Sequence, residues 1–369
     1  MPQLVALDMA GGPGFVDGLR RAWDDGDAVL AIDQRLPHTA KIDLIEYMGA
    51  ARVVSNDGSA PTGCGRPTDA GDAAVLATSG STGQPKGVVL THEAIAASAA
   101  ATSQRLGVRP DDHWLACLPL SHIGGLSVVF RALLSGTALT VHPSFDAAAA
   151  EQSGATLVSL VSTALQRIDP TVFRVIVLGG SRPPPDRPKN TVTTYGMTET
   201  GSGVVYDRRP LDGVEMRIVD GEIQLRGSML LRCYRDGTDP KQPDGWFRTG
   251  DLGTIDGDGL LTVHGRRGDL IITGGENVWP DPVEAALRTH PAVSDAAIYG
   301  RDDAEWGQTV TAIIVPTDPS APPTLDSLRD HVKLTLPAFC APRRVLACGE
   351  LPRTTLGKIK RAELGQLDR

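Results

Sequence analysis

From Ala73 onward, short continuous apolar runs alternate with segments of helical pattern, which limits the chain to a sheet covered by helices on both faces. "AAVLAT" (73–78), "HWLACLP", "TALTVH" and "FRVIVLGG" have no polar face and read as buried strands. His92 to Arg105 is an alanine-rich helix with Thr91 as its N-cap, and "GGLSVVFRALLSG" is a second helix. The alternation predicts a largely parallel sheet. "SRPPPDRPKN" is a loop, because its proline density excludes regular structure.

The texture changes after about Leu211. "VEMRIVDGEIQLRG" reads as two alternating strands around Asp220-Gly221, a dipeptide favoured in tight hairpins. With "GLLTVHGR" it predicts a small antiparallel β-lobe. Beyond Arg266 the pattern gives a helix over 281–290, strands at "VSDAAIYG" and "TVTAIIVP", and a helix over 325–336. The 369 residues are therefore expected to form an N-terminal domain over 1–265 and a small C-terminal α/β domain over 266–369, hinged at "GRRGD".

A formal net charge of −8 argues against nucleic-acid or anionic-membrane partners, which need a basic surface, but allows a local cationic pocket. The five cysteines are odd in number, scattered and without a CxxC pair, so neither a disulfide framework nor a zinc site is expected. The first residues lack a basic region before an apolar run, and Asp8 interrupts them, unlike a signal peptide. Arg131 breaks the best candidate for a membrane span. The expected location is the cytoplasm.

The chemistry centres on "LATSGSTGQPKGVVLTH" (76–92), which supplies hydroxyls, glycine-punctuated backbone N–H groups and the cation Lys86. Such a loop can cradle an anion, and it can equally be a plain turn; no Walker A spacing fits it. Further along, "TTYGMTET" (193–200) sets an aromatic, a hydroxyl and a carboxylate together after a strand. "GWFRTGD" ends in Asp251, a carboxylate suited to a ribose diol. "GRRGDLIITGGENVWPDPVEAAL" brings Arg266 and a glycine turn, and "LPRTTLGKIKR" carries Lys358. Taken singly, Tyr195 could be a core aromatic, Glu199 and Asp251 solvated loop acids, and Lys358 part of a solvated basic tail with Arg353, Lys360 and Arg361.

In this order and spacing the segments resemble the core motifs of the adenylate-forming superfamily of acyl-CoA synthetases, peptide-synthetase adenylation domains and luciferases, from about Asp72 to Arg361. The resemblance implies a large N-terminal α/β domain with mainly parallel sheets and a β-lobe, followed by a small mobile C-terminal domain. It implies that a carboxylate attacks the α-phosphorus of ATP to give an acyl-adenylate and pyrophosphate, after which a thiol displaces AMP. Thr78, Ser79, Gly80, Ser81, Thr82, Gly83 and Lys86 would hold the β- and γ-phosphates. "LGGS" (Gly179, Gly180, Ser181) would form the adenine-site turn, with Tyr195 and Gly196 against the base. Thr198 would bond the α-phosphate, Glu199 would hold Mg²⁺, Asp251 the ribose, and Arg266 ribose or phosphate. Lys358 would stabilise charge as the adenylate forms.

"LPLSHIGGL" resembles the acid-pocket motif, with His122 at the gating position, and "SLVSTALQRI" another pocket wall, with Thr163 and Arg167; Gly196 would border the acid as well. Arg167 could pair with a second substrate carboxylate or lie solvated on a helix surface. Two departures stand out. Gly268 occupies the hinge position where an acid or lysine is usual, followed by Asp269, and the segment before the phosphate loop is shorter than in most of the superfamily. The compact form resembles the short actinobacterial o-succinylbenzoate–CoA ligases of menaquinone biosynthesis, which implies a dicarboxylate substrate and coenzyme A as co-substrate. Ligation of another small aryl or medium-chain acid, and loading of a carrier protein, are the alternatives. A homodimer is the base expectation from symmetry.

Overall fold

Continuous apolar stretches with no polar alternation form the central strands, as a sheet buried on both faces requires. The computed structural model describes residues 1–79, 85–180, 183–184, 186–353 and 359–368. The chain divides into two units: Met1–Arg217, Gln224–Arg248 and Asp256–Leu261; and Ile218–Ile223, Thr249–Ile255 and Thr262–Arg369.

The first unit starts with β1 (Leu4–Leu7), α1 (Pro13–Asp24), β2 (Ala28–Ala31), α2 (His38–Met48), β3 (Arg52–Ser55), β4 (Gly58–Pro61), β5 (Asp72–Ser79) and β6 (Pro85–Thr91). Every residue of β1 and β2 is buried. Helix α1 begins with Pro at its first position and buries Phe15, Leu19 and Ala22, spaced by four and three on one face. Strands β5, β2, β1 and β3 are parallel, while β4 and β6 join antiparallel.

Here the structure corrects the sequence expectation. The segment 76–92 does not pass from a strand straight into a helix. Pro85–Thr91 returns as β6 along β5, from Ser79↔Pro85 to Asp72↔Thr91. Val88 and Val89 are β-branched and, with Leu90, buried, so the run pairs as a strand despite its glycine and proline flank. The helix then begins where expected, as α3 (His92–Leu106), with the Thr91 hydroxyl accepting from the Ala94 N–H at 3.1 Å. Such a cap contributes about 1 kcal/mol.

A second sheet follows: β7 (His113–Ala116), α4 (Ile123–Ser135), β8 (Ala138–Val141), α5 (Ala147–Glu151), β9 (Leu157–Leu160), α6 (Ser162–Leu165), β10 (Val175–Leu178), β11 (Thr191–Met197), β12 (Ser202–Tyr206) and β13 (Arg209–Pro210). Among the described residues its order is β13-β12-β11-β10-β9-β7-β8. It is parallel from β8 to β11 and turns antiparallel at β12 and β13. The sheets are therefore mixed, because "TTYGMTET" closes a local reversal rather than a crossover helix.

The β-lobe consists of β14 (Glu215–Val219), β15 (Glu222–Arg226), β17 (Phe247–Ile255) and β18 (Leu261–Arg266), while β16 (Cys233–Tyr234) pairs with β6 and orders the first sheet as β16-β6-β5-β2-β1-β3-β4. At the β14–β15 turn Asp220 has φ 50° and Gly221 φ 75°, the positive values such a two-residue hairpin demands.

In the second unit, β19 (Ile271–Thr273), β20 (Glu276–Val278), β21 (Val293–Asp303), β22 (Gly307–Pro316) and β23 (Arg344–Ala347) form one sheet, accompanied by α7 (Pro280–Arg288), α8 (Leu325–Lys333) and α9 (Arg361–Leu364). The period-2 rule shows directly. Ala296 and Ile298 share a core with Val283, Leu287, Leu328 and Val332 from α7 and α8, while Ala297 meets Ile313, Leu351 and Leu364 on the other face. No helix of the described residues is long and apolar enough to cross a membrane.

Candidate active site

Ligands of parallel α/β sheets sit beyond the carboxyl ends of the strands. Those ends collect many of the residues singled out from the sequence. In the second sheet, His122 lies beyond β7, Thr163 and Arg167 beyond β9, and Gly179 and Gly180 beyond β10. Tyr195 to Glu199 run from the end of β11 into the turn Thr198–Thr200.

That turn is tightly built. The ladder shifts register between Tyr195 and Gly196, and a Cβ at Gly196 would stand 2.2 Å from the Ser202 carbonyl oxygen, so no other residue fits. The Met197 N–H donates to the Thr200 hydroxyl at 2.9 Å, and Gly201 closes the turn at φ 66°. Gly179 is equally confined: a Cβ there would lie 2.7 Å from the Thr194 hydroxyl.

Glu199 is held by two contacts from one segment. The Tyr234 hydroxyl donates to its Oε1 at 3.1 Å, and the Leu231 N–H donates to its backbone carbonyl at 2.8 Å. The Lys86 ammonium lies 4.8 Å from the centroid of the same Tyr234 ring. Tyr234 thus links the lysine of β6 to the carboxylate beyond β11, although nothing in "LRCYRDGT" marks it. Thr78 donates to the Lys86 carbonyl at 3.3 Å. Ser79 ends β5; Gly80, Ser81, Thr82, Gly83, Ser181 and Lys358 lie outside the described residues.

Within the second unit, Asp251 and Arg266 meet. Asp251 is buried, and its Oδ1 accepts from Arg266 Nε at 2.9 Å, while Arg266 Nη1 donates to the Thr249 carbonyl at 3.2 Å. Thr163 and Arg167 are exposed, and the Arg167 guanidinium lies 5.3 Å from the Phe145 ring centroid.

Arg131 was read from the sequence only as a break in an apolar run. The structure gives it a different weight. It is 2% exposed, and its Nη2 donates to the Ser202 hydroxyl and, at 3.4 Å, to the Tyr206 hydroxyl. Its Nε and Nη1 make no hydrogen bond, and among the described residues no carboxylate pairs with it. The guanidinium also lies 5.6 Å from the Trp114 ring centroid, so two hydroxyls and an aromatic face hold this buried cation.

The sequence profile of the AMP-binding enzyme family matches residues 24–235, and that of the AMP-binding enzyme C-terminal domain matches 282–358. The chain is an AMP-binding enzyme. It is 42% identical over 329 residues to a protein of Mycobacterium tuberculosis named probable 2-succinylbenzoate–CoA ligase, covering 81% of this chain and 85% of that one. Among solved structures it resembles o-succinylbenzoate CoA synthetase from Bacillus subtilis in complex with its acyl-adenylate intermediate, with a TM-score of 0.87 and 28% identity over 98% of this chain and 87% of that one. The same synthetase in complex with ATP and magnesium ion gives a TM-score of 0.85 and 28% identity, over 98% and 89%. In this AMP-binding enzyme, then, the motif residues of β11 and its turn fall within the matched range, while Tyr234 and Arg131 emerge only from the tertiary structure.

Proposed function

We propose that this AMP-binding enzyme is an ATP-dependent acid–CoA ligase for 2-succinylbenzoate, a cytoplasmic protein that acts as a homodimer. The observation that carries the substrate is the 42% identity, over 81% of this chain, to a protein named probable 2-succinylbenzoate–CoA ligase. The five free cysteines agree with a reducing compartment. The boundary at 265/266 between an adenylating domain and a mobile domain is part of the same reading.

In the first half-reaction the acid's carboxylate oxygen attacks the α-phosphorus and pyrophosphate leaves; in the second, the CoA thiol attacks the acyl carbonyl and AMP leaves. Both need charge neutralisation and alignment more than covalent help. Lys86, Thr78 and the loop from Ser79 to Gly83 would hold the β- and γ-phosphates. Gly179, Gly180, Ser181, Tyr195 and Gly196 would frame the adenine. Thr198 would donate to the α-phosphate, and Asp251 with Arg266 would hold the ribose. The residues fit Mg²⁺: Glu199 Oε1 accepts from Tyr234, its second oxygen has no partner among the described residues, and one hard carboxylate oxygen is what a cation already held by phosphates and water requires. Bound there, Mg²⁺ would neutralise phosphate charge.

A panel of acids with ATP, Mg²⁺ and CoA, read by mass detection of the thioester, tests the substrate. Product from benzoate or octanoate but none from 2-succinylbenzoate overturns it.

A further inference from the structure

His122 stands at the N-cap of α4, and its ring is met by the loop that follows β2. Arg35 grips Asp33 as a fork: Nε donates to Oδ1 at 2.8 Å and Nη2 to Oδ2 at 2.6 Å. The same Nη2 lies 3.3 Å from His122 Nε2, and the Asp33 Oδ2 is 3.8 Å from that nitrogen. The Asp33 side chain is 12% exposed and the Arg35 side chain 40%, so the carboxylate is sheltered while the guanidinium reaches the surface. A guanidinium donates and never accepts. At the Arg35 contact, His122 Nε2 must therefore be the acceptor, which leaves the proton of a neutral ring on Nδ1.

We propose that Asp33 and Arg35 are positioning residues for His122, with Arg35 keeping Nε2 occupied as an acceptor and Nδ1–H as the only donor of the neutral ring, so that the acid-pocket histidine presents one fixed hydrogen-bonding edge. Asp33 orients the guanidinium and cancels its charge, and Arg35 sets the tautomer and ring plane. Turning the ring away requires breaking the Arg35 contact, so the pair also resists displacement of the histidine. The role of His122 toward the acid rests on the function proposed above; its tautomer does not.

Electrostatics follow the same geometry. Burial pushes the His122 pKa down, Asp33 draws it up, and Arg35 pushes it down. These two, both from the β2–α2 loop, are the charged groups facing the ring among the described residues. With its folded pKa depressed, His122 stays neutral until the pH falls below the usual histidine value of about 6.5. Arg35→Gln should move that titration up, and Asp33→Asn should move it further down.

The test is ¹⁵N NMR of the histidine-labelled protein, with the His122 signals assigned by their loss in His122→Asn. The wild type should show the Nδ1–H form at neutral pH, and Arg35→Gln should shift the ring toward Nε2–H. In steady-state assays Arg35→Gln should raise the acid KM about tenfold, the worth of one charge-assisted hydrogen bond, with the ATP KM within about twofold. Arg35→Lys, which keeps a cationic donor, should recover part of the loss. On a His122→Asn background Arg35→Gln should add nothing further, because coupled residues do not contribute additively. A wild-type ring protonated on Nε2, an unchanged tautomer in Arg35→Gln, or additive losses in the double variant overturns the proposal. If Arg35→Gln does not fold, the Asp33→Asn titration decides: an unmoved or raised His122 pKa overturns it. The NMR readout needs no acid, so failure of the 2-succinylbenzoate assignment leaves it standing.

Discussion

Replacing Lys358 with alanine is expected to cut acid-dependent ATP–pyrophosphate exchange by ~10²–10³-fold, the usual consequence of removing one group that stabilises transition-state charge. The attacking carboxylate and the α-phosphate are both anionic, and a cation between them lowers the barrier only while that charge develops. The chain on either side of Lys358 is anchored. Arg353 and Ile359 pair as an antiparallel bridge, the Lys360 N–H donates to the Pro352 carbonyl at 2.9 Å, and Arg353 pairs with Asp295. None of these contacts uses the Lys358 side chain, so the variant should unfold at the wild-type temperature. Full exchange activity in Lys358→Ala, with folding intact, would sink the assignment.

The second large effect concerns stability. Glu284 is 3% exposed on α7, and its Oε1 accepts from Arg361 Nη1 at 2.6 Å and from the Ile298 N–H at 2.9 Å. Arg361 also reaches Asp281 at 2.8 Å, Asp269 at 3.3 Å and the Ile298 carbonyl at 2.8 Å. Arg288 extends the network, 3.4 Å from Glu284 and 3.0 Å from Asp295, which Arg353 also holds. Glu284→Ala removes the buried centre, orphans the Ile298 N–H and leaves Arg361 with only its more exposed partners. The expected loss is about 3–5 kcal/mol, as for breaking a buried ion pair by deleting one side. Urea unfolding followed by far-UV circular dichroism reads it. Glu284→Gln keeps an acceptor and should lose less. A loss below about 1 kcal/mol for the alanine variant would show that the network contributes little beyond a surface pair.

Much of the architecture is legible in local pattern. The apolar runs of β5, β7 and β10, the Thr91 cap and the Asp220-Gly221 turn each signal their structure within a few residues, whereas β8, read as buried, is an edge strand of the described sheet with no buried residue. Strand β6 escaped because glycine, proline and lysine at its start mask a β-branched run that only pairing with β5 reveals. Residues 1–72, which carry α1, α2 and the first four strands, have no motif to draw attention to them. Their burial makes them central all the same.

The division in the candidate site has the same cause. Motifs shaped by their own backbone, such as Tyr195 to Glu199, are local objects, because a tight turn needs particular residues at adjacent positions. The structure explains Gly196 by the Ser202 carbonyl, and the motif alone had already singled it out. Local pattern was enough for an α/β fold, and the order of the motifs, through the family they resemble, was enough to imply an acid-activating, ATP-using enzyme. Tertiary structure decided which side chains meet across the chain: Arg35 with His122 over 87 residues, Arg131 with Ser202 over 71, and Arg361 with Glu284 over 77. A sequence states which charges exist, but whether a charge is buried, paired or left open for a ligand depends on neighbours that only the fold supplies.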